Sequence, residues 1–327
     1  MTKLRPFYGI MALTVVAGVV PLVLDSPRWL NVLSIALYYV ILATSWNLMM
    51  GYTGLFSFAH TALAAIGGYT SGLLAVKAGV PPALSLPISG VSAALASLVL
   101  GLVSLRLRGF YLCLVTWAFA EISVGVFRVE YKVTGGSMGL VVPPLFPTAA
   151  GKVPYYYLGL GLVVAALVFM VLLSRSRAGI YLRSIRDDEL ASEVMGVNTI
   201  GWKVFCFTVC GFWAGLAGGY YGHLIGVVDP GMGALSEMGL VILMVIIGGM
   251  GTLTGPVAGA FLIVVLSEAL RGKLEAMSLL FFAIIMVLVM RFLPGGLMAG
   301  LGGLASWTRS ALRRRPRAGE LRGPGPA

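Results

Sequence analysis

Ten runs of apolar residues, each bounded by charge, glycine or proline, follow one another along nearly the whole chain: 8–24, 30–50, 55–76, 82–105, 109–127, 154–173, 204–224, 238–250, 255–270 and 277–293. A bilayer core about 30 Å thick takes roughly 20 apolar residues per helix. Inside it every backbone N–H and C=O must find a partner within the protein, which helices do by themselves. Only 11% of the residues are charged and 59% are hydrophobic, against about a quarter charged in soluble domains. The expected fold is therefore all-α: a polytopic transmembrane helical bundle with about ten membrane segments, some short or broken. The runs 238–250 and 255–270 are the short ones, and a 13-residue helix covers only about 20 Å. They are tilted, broken or re-entrant, and eight crossings is the alternative count.

The basic residues orient the bundle. With both termini cytoplasmic, the inner side holds Lys3, Arg5, Arg106, Arg108, Arg175, Arg177, Arg183, Arg186, Lys203, Arg291 and the arginines beyond residue 308. The outer side holds Arg28, Lys77, Arg128, Lys132, Lys152, Arg271 and Lys273. The excess lies inside, as Lys and Arg require, so both termini are expected in the cytoplasm. The first run lacks a small-x-small cleavage site at Val23-Leu24-Asp25-Ser26 and reads as a retained span. The net charge of +11 would point to nucleic acid in a soluble protein. Here it sits at span ends and in an Arg/Pro/Gly-rich tail, 309–327, where anionic lipid is the partner. Residues 1–308 form the transmembrane domain and the tail is expected to be disordered; no nucleic-acid partner is expected.

Resident chemistry is scarce. Cys113, Cys206 and Cys210 all lie in apolar runs with no histidine or acid beside them, so no metal site is expected. His60 and His223 are the only histidines. His60 follows Ser57 by one helical turn, yet no orienting acid accompanies them, which argues against an intramembrane hydrolase. A phosphate-binding Gly-x-x-x-x-Gly-Lys is missing: Lys152 and Lys273 follow glycines, but Phe146 and Ser267 stand where the first glycine belongs. The many glycines, such as Gly211, Gly215 and Gly219, let helices approach closely. The cluster Gly248-Gly249-Met250-Gly251-Thr252-Leu253-Thr254-Gly255-Pro256 is either a tight turn or a break whose backbone lines a pathway.

The most polar internal stretch is 174–203, expected on the inner side. Its second half reads as a short helix, with Asp187, Asp188 and Glu189 at the end where negative charge is favoured. Ser184 followed by Asp187 is a weak capping signal, and Gly196 is a natural stop. Leu190, Ala191, Val194 and Met195 form an apolar stripe. A helix that rests on lipid carries basic residues on its polar face. This one carries Asp187, Asp188, Glu189 and Glu193, which favours a groove on a soluble protein.

The run Glu189-Leu-Ala-Ser-Glu-Val-Met-Gly196 resembles the EAA-type loop of bacterial ATP-binding-cassette importer permeases, with Leu190 departing from the usual alanine. The longer string from Arg183 to Val197 is similar to the form found in branched-chain amino acid importer permeases, the LivM-like subunit. Four further stretches resemble the same family in the same order: Trp46–His60, Arg106–Glu121, Thr134–Gly139 and Gly248–Pro256. The resemblance implies a permease with no ATPase site of its own and no cofactor, in a bacterial inner membrane. Its partners would be two cytoplasmic ATPase subunits that bind the ATP, a second and related permease subunit, and an extracytoplasmic solute-binding protein. It also implies that Arg186, Asp187, Asp188, Glu189, Leu190, Ala191, Glu193, Val194, Met195 and Gly196 couple the chain to an ATPase. The solute would be a branched-chain amino acid or a related small polar molecule.

Polar groups in hydrocarbon are costly and usually face protein or water, which makes Asn47, Ser57, His60 and Glu121 candidates for the translocation path. Asn47 equally suits helix–helix bonding, His60 a packed and satisfied position, and Glu121 an ion pair with Arg128 seven residues on. An ion-coupled secondary transporter using Glu121 and Glu268 is the alternative function. It would leave the acidic loop helix without a role.

Overall fold

A proline at the first turn of a helix loses no hydrogen bond, because that N–H has no intrahelical partner, and Pro27 starts the central helix in this way. The computed structural model describes residues 14, 15, 17–21, 26–104, 107, 109–147, 151–270, 284 and 291. Helix α1 (Pro27–Thr53) is buried along most of its length and ends at Gly54. Then come α2 (His60–Lys77), α3 (Pro82–Ser104), α4 (Phe110–Val129), the short α5 (Tyr131–Thr134) and strand β1 (Leu140–Val141). The second half holds α6 (Val153–Arg175), α7 (Arg177–Asp187), α8 (Glu189–Val194), α9 (Thr199–Ile225), β2 (Val227–Val228), α10 (Leu235–Gly248) and α11 (Gly255–Leu270). Helices α1, α3, α4, α6 and α9 are each long and apolar enough to cross a bilayer; α10 and α11 are shorter apolar helices.

Helix α9 packs most extensively on α3 and α2, and small residues make this possible. A Cβ on Gly218 would strike the carbonyl oxygen of Ala64, and one on Gly67 would strike the carbonyl of Gly215. Gly211 and Gly215 face Ser97 and Ala93 of α3 in the same manner. At this separation hydroxyls reach across: Ser97 Oγ donates to Phe207 O at 2.7 Å and Ser89 Oγ to Gly215 O at 3.1 Å. With lipid as solvent there is no hydrophobic gain from helix contact, so close packing and such bonds supply the cohesion.

Several expectations need adjustment. The run 55–76 starts as a helix only at His60, because residues 54–59 form a connection held by Trp46 Nε1, which donates to Ser57 O at 2.9 Å. The connection after α4 is anchored by a short strand. Its β1 pairs antiparallel with β2, Leu140 opposite Val228 and Val141 opposite Val227, and the adjacent Val142 is buried. Of the first and last apolar runs, 8–24 and 277–293, only scattered helical residues are described, and the tail 309–327 lies outside the described residues.

Helices α10 and α11 form a hairpin alongside α1. Its tip meets α1 near Asn47, and α11 runs back until Glu268 accepts from Arg28 at 2.6 Å. With 16 residues α11 is roughly 24 Å long, shorter than a bilayer core of about 30 Å. Helix α4 is the least buried of the long helices, with Tyr111, Ile122, Val126 and Val129 exposed.

Candidate functional site

The polar stretch after α6 folds into two helices rather than one. Asp188 is extended, at φ −157° and ψ 109°, and separates α7 from α8. Its carboxylate accepts from Ala191 N at 3.0 Å, so Asp188 is the N-cap, and the capping signal read at Ser184 is not used: Ser184 Oγ donates instead to Tyr181 O. Beyond α8, Gly196 N donates to Glu193 O at 2.9 Å. Gly196 has φ +83°, a conformation in which a side chain is strained, so the expected stop is real.

Helix α7 rests on the bundle through Gly179, Leu182 and Ile185, spaced three apart and buried. Arg183 lies over the ring of Tyr52, 5.0 Å from its centroid. Arg186 Nη1 donates to Gly51 O at 2.7 Å, while its other nitrogens reach Asp187 Oδ1 at 3.1 and 3.3 Å. Glu189 pairs with Lys203 Nζ at 2.6 Å, and Lys203 is almost fully buried. Glu193 Oε1 accepts from Thr199 Oγ1 at 2.7 Å. Each of the four carboxylates thus has a bond inside the loop, and those of Asp188, Glu189 and Glu193 hold α8 in place.

What projects is apolar. Leu190 is 61%, Val194 87% and Met195 83% exposed, and Ala191 beside them is exposed too. The expected stripe is therefore bare, whereas Ser192 is buried and donates to Asp188 O at 2.8 Å. A short helix stripped of its tertiary anchors would be marginal in water; the bonds from Asp188, Glu189 and Glu193 hold it fixed while its apolar face stays open. A cavity of about 580 Å³ lies beside it, lined among others by Thr53, Phe56, Cys113, Arg186, Asp188 and Lys203.

The family model described as "Branched-chain amino acid transport system / permease component" matches residues 28–290. The chain belongs to this permease family. It is 31% identical to the high-affinity branched-chain amino acid transport system permease protein LivM of Escherichia coli K12, over 88% of this chain and 74% of the relative. It is 23% identical to LivH of the same organism, over 80% and 91%, and 24% identical to BraD of Pseudomonas aeruginosa, over 82% and 94%. No solved structure matches it significantly.

In this permease the four path candidates do not form one group. Asn47 is committed to the α10–α11 turn: Nδ2 donates to Thr252 O at 2.7 Å and Oδ1 accepts from Gly251 N at 2.8 Å. His60 Nε2 lies 2.7 Å from Ser45 Oγ, and Ser57 Oγ accepts from Ala59 N at 3.2 Å; both residues are buried. These three brace the neighbourhood of the 54–59 connection and the α10–α11 turn. Glu121 sits apart on the exposed side of α4, accepting weakly from Trp117 Nε1 at 3.4 Å, and no ion pair joins it to Arg128.

Sequence reasoning passed over Lys203, which it used only to orient the chain. It also passed over Glu237, one residue before an apolar run, which accepts from Tyr39 at 2.6 Å. Lys203 lies inside the extended α9, and a lysine four residues into an apolar helix is a signal that a buried partner is needed. The cysteines are free: Cys206 and Cys210 are buried, and Cys210 Sγ donates to Ser45 O. No group of three or more metal-ligating side chains occurs among the described residues.

Proposed function

We propose that this permease is one membrane subunit of an ATP-binding-cassette importer that carries branched-chain amino acids, or a related small polar solute, across a bacterial inner membrane. The reading places both termini and the α7–α8 pair in the cytoplasm. Two ATPase subunits bind ATP and grip α8; a second, related permease subunit completes the pathway; an extracytoplasmic binding protein delivers solute. The named relatives LivM, LivH and BraD support the solute class.

One observation carries the coupling role: an exposed apolar ridge, Leu190, Val194 and Met195, stands on a helix that bonds from Asp188, Glu189 and Glu193 hold in place. Apolar anchors set in a polar rim are the usual core of a protein–protein contact. The connection onward is continuous. Arg186 holds the inner end of α1 at Gly51, and Asn47, one turn earlier, holds the α10–α11 turn. A push on α8 is thereby delivered to α1 and to the hairpin together.

Reconstitution tests this. The permease pair, the ATPase subunits and the binding protein are placed in proteoliposomes with labelled leucine. Uptake is expected to require ATP on the ATPase side and to vanish with Met195→Asp. Uptake that persists without any ATPase would overturn the reading in favour of an ion-coupled carrier.

A further inference from the structure

About halfway along α1, roughly 20 Å from the Gly51 contact with α7 at 1.5 Å per residue, the structure holds a cavity of about 260 Å³, close to the lower bound of about 300 Å³ for small-molecule sites. Tyr38 and Tyr39 of α1, Tyr221 of α9, Asp229 after β2 and Glu237 of α10 line it. The rings form a wall: Tyr38 and Tyr221 are 4.5 Å apart between centroids, Tyr38 and Tyr39 4.9 Å. Among the described residues no lysine, arginine or histidine lines the cavity.

The two carboxylates are only partly used. Glu237 Oε2 accepts from Tyr39 at 2.6 Å and Asp229 Oδ1 accepts from Gly231 N at 2.7 Å; neither has a cationic partner among the described residues. A separate observation points to a missing ligand. Tyr38 is 3% exposed as a whole residue and lines the cavity; its hydroxyl makes no hydrogen bond with the described residues, and its oxygen stays open to the cavity instead of being sealed in the packing.

We propose that this cavity receives the ammonium group of the transported solute, with Asp229 and Glu237 as its counter-charges, the tyrosine faces around it and the Tyr38 hydroxyl as a hydrogen-bond partner. Aromatic faces attract organic cations and carboxylates bind ammonium through charge-assisted hydrogen bonds. The site rests on the permease reading for its solute. It adds a prediction that the sequence motifs do not contain: selection for the ammonium end, made by the membrane subunit itself.

The test places a reporter thiol in the cavity wall of the assembled importer in lipid nanodiscs. Ser236→Cys is made in a Cys113→Ser background, with Ala234→Cys as the second reporter should the first not assemble. A cationic methanethiosulfonate is expected to modify the thiol about 10-fold faster than an anionic one of equal reach, after correction for their rates on a free thiol. Glu237→Gln with Asp229→Asn should bring that ratio near one. Millimolar L-leucine should slow modification, whereas 4-methylpentanoate, which lacks the ammonium group, should not. Equal rates with both reagents, equal protection by the two solutes, or protection by sodium alone would each overturn the proposal. Leucine uptake by the same unmodified importer separates the two claims: ATP-driven uptake with an uncharged cavity removes only this site, whereas absent uptake removes the permease reading and leaves the charge preference to stand.

Discussion

Arg186 of α7 donates to the carbonyl of Gly51, on the last turn of α1, across 2.7 Å. One end of this bond belongs to the exposed polar pair of helices and the other to the most buried helix of the bundle. The α10–α11 turn abuts the same spot, since a Cβ on Gly51 would come within 2.8 Å of Gly251. Three elements far apart in the chain meet there.

Replacing Arg186 by Gln should therefore uncouple rather than unfold. A hydrogen bond from a charged group contributes about 1.5–3 kcal/mol, so ATPase subunits should still co-purify while leucine uptake per ATP hydrolysed falls several-fold. Parallel measurement of uptake and hydrolysis checks this; unchanged stoichiometry would remove Arg186 from the linkage.

Val194→Asp and Met195→Asp alter side chains that are 87% and 83% exposed. Surface changes away from special features usually stay within about 0.5 kcal/mol, so the melting temperature in detergent should hold. Recovery of ATPase subunits on an affinity column should be lost. Full recovery with either variant would show that the ridge is not the docking surface.

Glu189→Gln leaves Lys203 charged, nearly buried and without its 2.6 Å partner. Breaking a buried pair from one side costs about 3–5 kcal/mol, while replacing both partners by apolar residues is often neutral. Thermal unfolding should show the single variant strongly destabilised and Glu189→Leu with Lys203→Met largely restored. Amide exchange over 188–197 should quicken in the single variant first.

Asn47→Leu removes both bonds to the α10–α11 turn and strands Gly251 N–H and Thr252 C=O. Each buried polar group left unpaired costs about 1–3 kcal/mol. Lower thermal stability with ATPase subunits still bound is the expected outcome. A normal melting curve with lost transport would instead return Asn47 to the translocation path.

The close crossing of α9 and α2 predicts that Gly218→Val yields no assembled protein, because the new Cβ meets the Ala64 carbonyl. Gly161→Val, on α6 with open space around it, is the control and should express normally. Size-exclusion profiles in detergent distinguish the two.

Helix positions were legible in the chain because hydrocarbon imposes one rule on every residue inside it. Apolar length sets the helix, and α3, α4, α6 and α11 begin and end within two residues of their apolar runs. The stripe Leu190–Met195 and its stop at Gly196 were equally local, since period and backbone conformation are properties of a few neighbouring residues. Non-local partnership was not legible. Nothing near Glu189 in sequence announces Lys203, Asn47 gives no sign of Thr252, and Tyr39 none of Glu237. Charge and polarity say that such residues need partners, but which partner each finds depends on how helices separated by up to 240 positions cross. Those crossings are decided by close-packed surfaces such as Gly218 on Ala64, where fit in three dimensions, and not pattern along the chain, carries the energy.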